Sequence, residues 1–169
     1  MSDARQPFAR YRVRLGFVSA VLALWLAEPT PRSLAAGAIV AVLGEAIRIW
    51  AAGHLEKGRE VTVSGPYRFT RHPLYLGSAI IGVGFAVASN RFAVWLLIGL
   101  YLAATITSAI RSEERHLTDK FGSVYREYRD GRATAVGRRF RLARATANRE
   151  YRAVAGLVAV LALLGWKAL

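Results

Sequence analysis

Cysteine is absent from the 169 residues, so neither a disulfide framework nor a thiolate metal site is open to this chain. Histidine is scarce: His54, His72 and His116 have no paired ligand spacing, so no metal centre is expected. Acidic residues number 11 against 24 Lys and Arg, leaving a formal charge of +13. Proline is confined to the first 73 residues, and no tract of low complexity and no internal repeat interrupts the chain.

Apolar residues are abundant, at 54% of the sequence. A nucleic-acid-binding domain would share the charge, but its apolar residues would be spread through amphipathic elements. Here they are gathered into runs, which point to a membrane protein with basic flanks and argue against a nucleic-acid partner. About 20 helical residues cross a hydrocarbon core, and snorkelling flanks complete shorter runs. Five spans follow: Ala9 to Ala27, Leu34 to Ala52, Leu74 to Ser89, Phe92 to Ile110 and Ala153 to Leu169. Arg10, Arg12 and Arg14 are expected to snorkel from the first. No small-x-small pattern follows that run at Glu28-Pro-Thr-Pro31, so it is expected to stay as a helix and not to be cleaved.

Lys and Arg outside the spans divide unevenly. Arg5, Arg10, Arg12 and Arg14 share a side with Lys57, Arg59, Arg68, Arg71 and the twelve cations between Arg111 and Arg152. The other side holds Arg32, Arg91 and Lys167. This asymmetry places the N-terminus, the Gly53 to His72 connection and the long basic segment in the cytoplasm. The expected fold is all-α: one domain over residues 1–169, an integral membrane bundle of five transmembrane helices.

Pro29 and Pro31 mark a tight turn between the first two helices, and Ser89-Asn90-Arg91 another between the third and fourth. Pro73 fits the first turn of the third helix, with His72 as the cap-like residue. Leu117, Phe121, Val124, Tyr125 and Tyr128 recur at helical spacing and predict a cytoplasmic interfacial helix, ended by Gly131 to Gly137.

Three constellations can carry chemistry. The hinge Gly65-Pro-Tyr-Arg-Phe-Thr-Arg-His-Pro-Leu-Tyr-Leu-Gly77 gathers Tyr67, Arg68, Arg71, His72 and Tyr75 at a helix N-terminus, a setting that stabilises a carboxylate or phosphate. Arg68 and Arg71 equally suit lipid phosphates, with the tyrosines as interface anchors. Arg111-Ser-Glu-Glu-Arg-His116 places Glu113 and Glu114 where cations prevail, either as structural pairs at helical spacing or as acceptors for hydroxyl or ammonium groups. Glu45 and Arg48, three apart inside the second span, are either a self-satisfied pair or the lining of a polar cavity. His54 belongs to that cavity or to the headgroup region. Trp50, Tyr67, Tyr75, Tyr125 and Tyr128 suit an aromatic belt, and such rings also stabilise a sulfonium.

Gly65-Pro-Tyr67, Arg71-His-Pro-x-Tyr-x-Gly77, Glu113-Glu-x-x-Leu117 and Phe121-Gly-x-x-Tyr-x-x-Tyr128, preceded by Arg48-x-Trp-Ala-x-Gly-His-Leu55, resemble the isoprenylcysteine carboxyl methyltransferase family in order and approximate spacing, over residues 45–130. That resemblance implies an integral membrane methyltransferase using S-adenosylmethionine, in a bacterial inner membrane with its site facing the cytoplasm. It implies a hydrophobic or lipid-like acceptor, carboxyl O-methylation being favoured. By the same resemblance Tyr67, His72, Pro73, Tyr75, Gly77, Glu113, Glu114, Tyr125 and His54 bind cofactor, and Arg71, Arg111 or Arg48 orients the acceptor. A phospholipid N-methyltransferase shares the double Glu and a glycine pair resembling Gly82-Val-Gly84. Steroid 5-alpha-reductase-type enzymes, which use NADPH, carry a similar hinge, and a non-enzymatic lipid-binding protein would share the basic face. The family's usual Arg-x-Pro closing element is replaced by Arg129-Asp-Gly-Arg132, and a further apolar run follows.

Overall fold

The computed structural model describes residues 6–134 and 137–169, with side chains from residue 14. Arg5 lies outside the described residues, as do the side chains of Arg10 and Arg12, on which the snorkelling expectation partly rests. Among the described residues the fold is all-helical: α1 (Gln6–Leu26), α2 (Pro31–Ala52), α3 (Pro73–Ser89), α4 (Phe92–Phe121), α5 (Ser123–Arg129), α6 (Leu142–Ala147) and α7 (Tyr151–Lys167), with a 3-10 turn at Gly65–Arg68. Each of the five apolar runs forms a helix. Of these, α2 and α4 are long and apolar enough to cross a membrane.

Helix ends follow local chemistry. Pro31 occupies the first turn of α2, and Thr30 and Ser33 cap each other reciprocally, with Ser33 N to Thr30 Oγ1 at 3.1 Å and Thr30 N to Ser33 Oγ at 2.9 Å. Pro73 opens α3, and Asn90 closes it in the left-handed region at φ 53°. At the far end of α7, Lys167 Nζ donates to Leu24 O (2.9 Å) and Trp25 O (2.7 Å), binding the last helix to the unsatisfied carbonyls of the first.

The centre of the bundle is the antiparallel pair α2 and α3, whose backbones meet along a seam of small residues. Gly37 faces Gly84 and Ala88; Gly44 faces Gly77 and Ile81. Close approach of this kind is how helices pack where no hydrophobic difference separates side chains from lipid. α4 lies on α3, α1 on α4, and α7 on α2. The outward faces are apolar: Phe17, Trp25, Leu100 and Val158 are all exposed.

One expectation changes, and one open alternative closes. The interfacial helix of Leu117 to Tyr128 is not one element: α4 continues past its apolar run to Phe121, then Gly122 adopts φ 53° and redirects the chain into α5. That conformation is open to glycine without steric cost, and it turns Tyr125 inward, to 1% exposure. Nor is Glu45–Arg48 self-satisfied. The two stand 3.7 Å apart, while Arg48 Nε reaches Glu150 Oε1 at 2.6 Å.

Candidate functional site

A cavity of about 680 Å³ opens where the hinge, the end of α2, the C-terminal part of α4 and the turn before α7 converge. The hinge and the first two turns of α3 contribute Arg71, His72, Pro73, Leu74, Tyr75 and Ser78. α4 adds Glu113 and His116, the connection after α2 adds Lys57, Glu60 and Thr62, and Tyr67 and Tyr128 close one side. Arg48 forms the inner end with Glu150 and Asn148.

His72 stands at the N-cap position of α3 without capping it by its side chain. Its ring is spent elsewhere: Nε2 donates to Glu114 Oε1 at 3.1 Å, and the same oxygen takes Arg71 Nη1 at 3.1 Å. Glu114 is therefore a clamp behind the wall, holding two hinge residues that do line it. His72 Nδ1 is buried and has no hydrogen-bond partner among the described residues. Such an atom is costly unless something bound supplies a partner. Tyr75 lies beside it, ring centroids 5.9 Å apart.

The phenols on the closing side are held neutral. Burial, and after it the Glu113 carboxylate, push Tyr67 upward from the usual tyrosine range. Burial and the neighbouring Tyr125 raise Tyr128 to about 12, against the opposing pull of Arg71. Burial, then Glu114, raises Tyr125 as well. Tyr128 can thus act as a donor, and its hydroxyl donates to Tyr67 O at 2.7 Å, joining α5 to the hinge.

Of the residues expected at the site, Arg48, Arg71, Tyr67, His72, Pro73, Tyr75 and Glu113 line the cavity. Arg111 does not; it is exposed on α4. His54 is buried outside the cavity wall, where Nδ1 donates to Trp50 O at 3.0 Å and its ring lies under Gly65. Gly77 sits in the α2–α3 seam, under the Arg48 side chain. Tyr125 is buried behind Tyr128, ring centroids 6.2 Å apart. Sequence reasoning missed Ser78, Asn148 and Glu150. For Glu150 a signal existed: like the double Glu, it is a carboxylate in a basic segment at the edge of an apolar run.

A second cavity, about 250 Å³ and mainly apolar, runs between α1, α3, α4 and α7 from Ser78 to Ser89 and Ala27. Ser78 borders both cavities. A chamber carrying charged side chains and an almost wholly apolar slot therefore meet at one residue of α3.

The family model described as phospholipid methyltransferase matches residues 36–124. The chain belongs to this family. The matched stretch holds the α2–α3 seam, the hinge and the double Glu, and it ends before α7. Among curated relatives, this phospholipid methyltransferase family member is 32% identical over 78 residues to the protein-S-isoprenylcysteine O-methyltransferase of Schizosaccharomyces pombe, covering 46% of this chain and 33% of that one. It is 30% identical over 94 residues to the cobalt-zinc-cadmium resistance protein CzcN of Cupriavidus metallidurans, covering 54% and 44%. The nickel-cobalt-cadmium resistance protein NccN of Alcaligenes xylosoxydans xylosoxydans is 30% identical over 87 residues, covering 50% and 39%. The chain thus spans less than half the length of these relatives. No solved structure matches it.

Proposed function

We propose that this family member is an integral membrane methyltransferase that draws its methyl group from S-adenosylmethionine and passes it to a hydrophobic or lipid-like acceptor at the cytoplasmic face. The observation that carries this reading is the meeting, at Ser78, of a chamber that bears Arg48, Arg71 and Glu113 with a slot that is almost wholly apolar. A reaction between a polar donor and a lipophilic acceptor needs two such compartments with one point of contact. The skewed arginine distribution supports a cytoplasmic chamber, and the exposed apolar faces of all five long helices support five spans in the bilayer.

The residues present fit the donor molecule. The chamber volume lies in the range of small-molecule sites. Arg71 supplies guanidinium donors for a carboxylate, Glu113 supplies an acceptor for ammonium or hydroxyl groups, and the unpartnered His72 Nδ1 is a further polar contact in the same wall. When bound, S-adenosylmethionine provides an activated methyl on a sulfonium. The chain's own contribution is orientation and exclusion of water, effects that lower barriers by several kcal/mol, on the order of 7 or more in favourable cases. Arg48 at the inner end, beside Ser78, is placed to orient a carboxylate acceptor, a nucleophile that needs no base.

An amine acceptor is the second reading, favoured by the description of the matching family. It requires a proton acceptor. Glu113 has no ion-pair partner among the described residues and is the candidate base. Labelled methyl transfer into a lipid extract, with the product identified, decides between the two; label retained only in alkali-labile esters indicates a carboxylate. No transfer into any lipid or amphiphile would remove the reading.

A further inference from the structure

We infer that Glu150, the N-cap of the last helix and outside the family-matched stretch, is a positioning residue for Arg48, making the turn that leads into α7 a functional part of the chamber wall as well as the entry to a membrane helix. This rests on the methyltransferase reading above, in which Arg48 orients the acceptor.

The geometry is specific. Arg48 offers three nitrogens, and two are fixed. Nε donates to Glu150 Oε1 at 2.6 Å; Nη1 donates to Ser78 Oγ and, at 3.4 Å, to Leu74 O. Ser78 Oγ in turn donates to Leu74 O at 2.9 Å, so the hydroxyl is oriented too. Nη2 makes no hydrogen bond among the described residues and is left to serve the chamber that Arg48 lines. An arginine held through Nε and Nη1 presents its remaining edge in one direction, which a four-carbon ammonium side chain cannot do.

The chain around Glu150 is arranged to deliver this carboxylate. Glu150 is 7% exposed, a burial that costs a carboxylate several kcal/mol unless a cation meets it. Arg149, just before it, adopts φ 61°, a conformation that non-glycine residues seldom take and that marks a backbone held by its surroundings. Asn148 anchors the same turn, its Nδ2 donating to Ala52 O at 2.9 Å and Leu55 O at 3.0 Å at the end of α2. Upstream, Arg144 Nε meets Glu56 at 2.7 Å and Arg138 meets Glu60 at 2.7 Å. Segment 138–150 is thus strapped to the chamber's rim before α7 begins. A helix needed only as an anchor would not require a buried carboxylate at its N-cap bonded to an arginine of another helix.

Epistasis tests this. Wild type, Glu150→Gln, Glu150→Asp, Arg48→Lys and the Arg48→Lys/Glu150→Gln double variant, reconstituted in lipid nanodiscs, are assayed for labelled methyl transfer to an N-acyl-S-farnesylcysteine and to phosphatidylethanolamine. Binding of S-adenosylhomocysteine, read by calorimetry, reports the integrity of each. Glu150→Gln is expected to lower kcat about tenfold or more on the probe that the wild type methylates, with cofactor affinity changed less than about twofold. Glu150→Asp, which keeps the charge at shorter reach, should lose an intermediate amount. In the Arg48→Lys background Glu150→Gln should add almost nothing, because the residue acts through the arginine. An equal fold-loss in both backgrounds, or full activity of Glu150→Gln, overturns the inference alone. A wild type that binds S-adenosylhomocysteine yet methylates neither probe removes the functional reading and this inference with it.

Discussion

Replacing Gly77 by alanine tests the link between the helix seam and the site. A Cβ at Gly77 would lie 2.7 Å from Gly44 O and 2.5 Å from Arg48 Cγ. Ordinary contact begins near 3.4 Å, so the α2 backbone must retreat by roughly 0.7 Å or Arg48 must leave its place. The oxygen belongs to a buried helix and cannot swing aside; the arginine can, but only by breaking its bonds to Glu150 and Ser78. Overpacking of this kind costs about 1–3 kcal/mol. For a chain of this size each kcal/mol lowers Tm by roughly 2–4 °C. Gly77→Ala should therefore melt several degrees early in detergent and lose methyl transfer beyond what its stability explains. Gly99→Ala is the control: nothing lies within 4 Å of its added methyl, and a helical Gly to Ala change stabilises by up to about 1 kcal/mol. If Gly77→Ala and Gly99→Ala melt alike and both remain active, the seam does not support Arg48 and the reasoning fails.

Further outcomes follow from the site. Glu114→Gln keeps the shape of the clamp but removes the charge that holds Arg71 and His72, and calorimetry should show S-adenosylmethionine binding weakened about tenfold. Base titration should expose the buried phenols: because the folded state raises Tyr128 to about 12, its contribution to stability is complete below the ordinary tyrosine pKa of about 10 and is lost as pH climbs through about 12. Tyrosinate absorbance should rise late for Tyr67, Tyr125 and Tyr128, and Tyr128→Phe should shrink that late component by one tyrosine; a single transition near 10 for all tyrosines would contradict the burial.

Local chemistry made much of this molecule readable. Apolar runs gave five helices, Pro73 gave the start of α3, and the scarcity of carboxylates drew attention to Glu113 and Glu114. What escaped depended on contacts between distant positions. Arg48 has a carboxylate three residues away at Glu45, the local partner a linear reading favours, yet it bonds Glu150 across 102 positions. His54 belongs to the right motif and lies near the right helix end, but Gly65 at φ 57° lets the hinge settle over its ring and keeps it out of the chamber. The bend at Gly122 is of the same kind: periodicity runs unbroken through Phe121 to Tyr128, and one positive φ decides that Tyr128, and not Tyr125, reaches the cavity.

The central claim is that the chamber beneath the Arg71-His72-Pro73 hinge receives S-adenosylmethionine, and calorimetric titration of the purified protein tests it most directly. The account predicts micromolar binding, on the order of −8 kcal/mol, that weakens when Glu113 or His72 is replaced by alanine and is unaffected by NADPH. Heat from NADPH with none from S-adenosylmethionine or its demethylated product would contradict it.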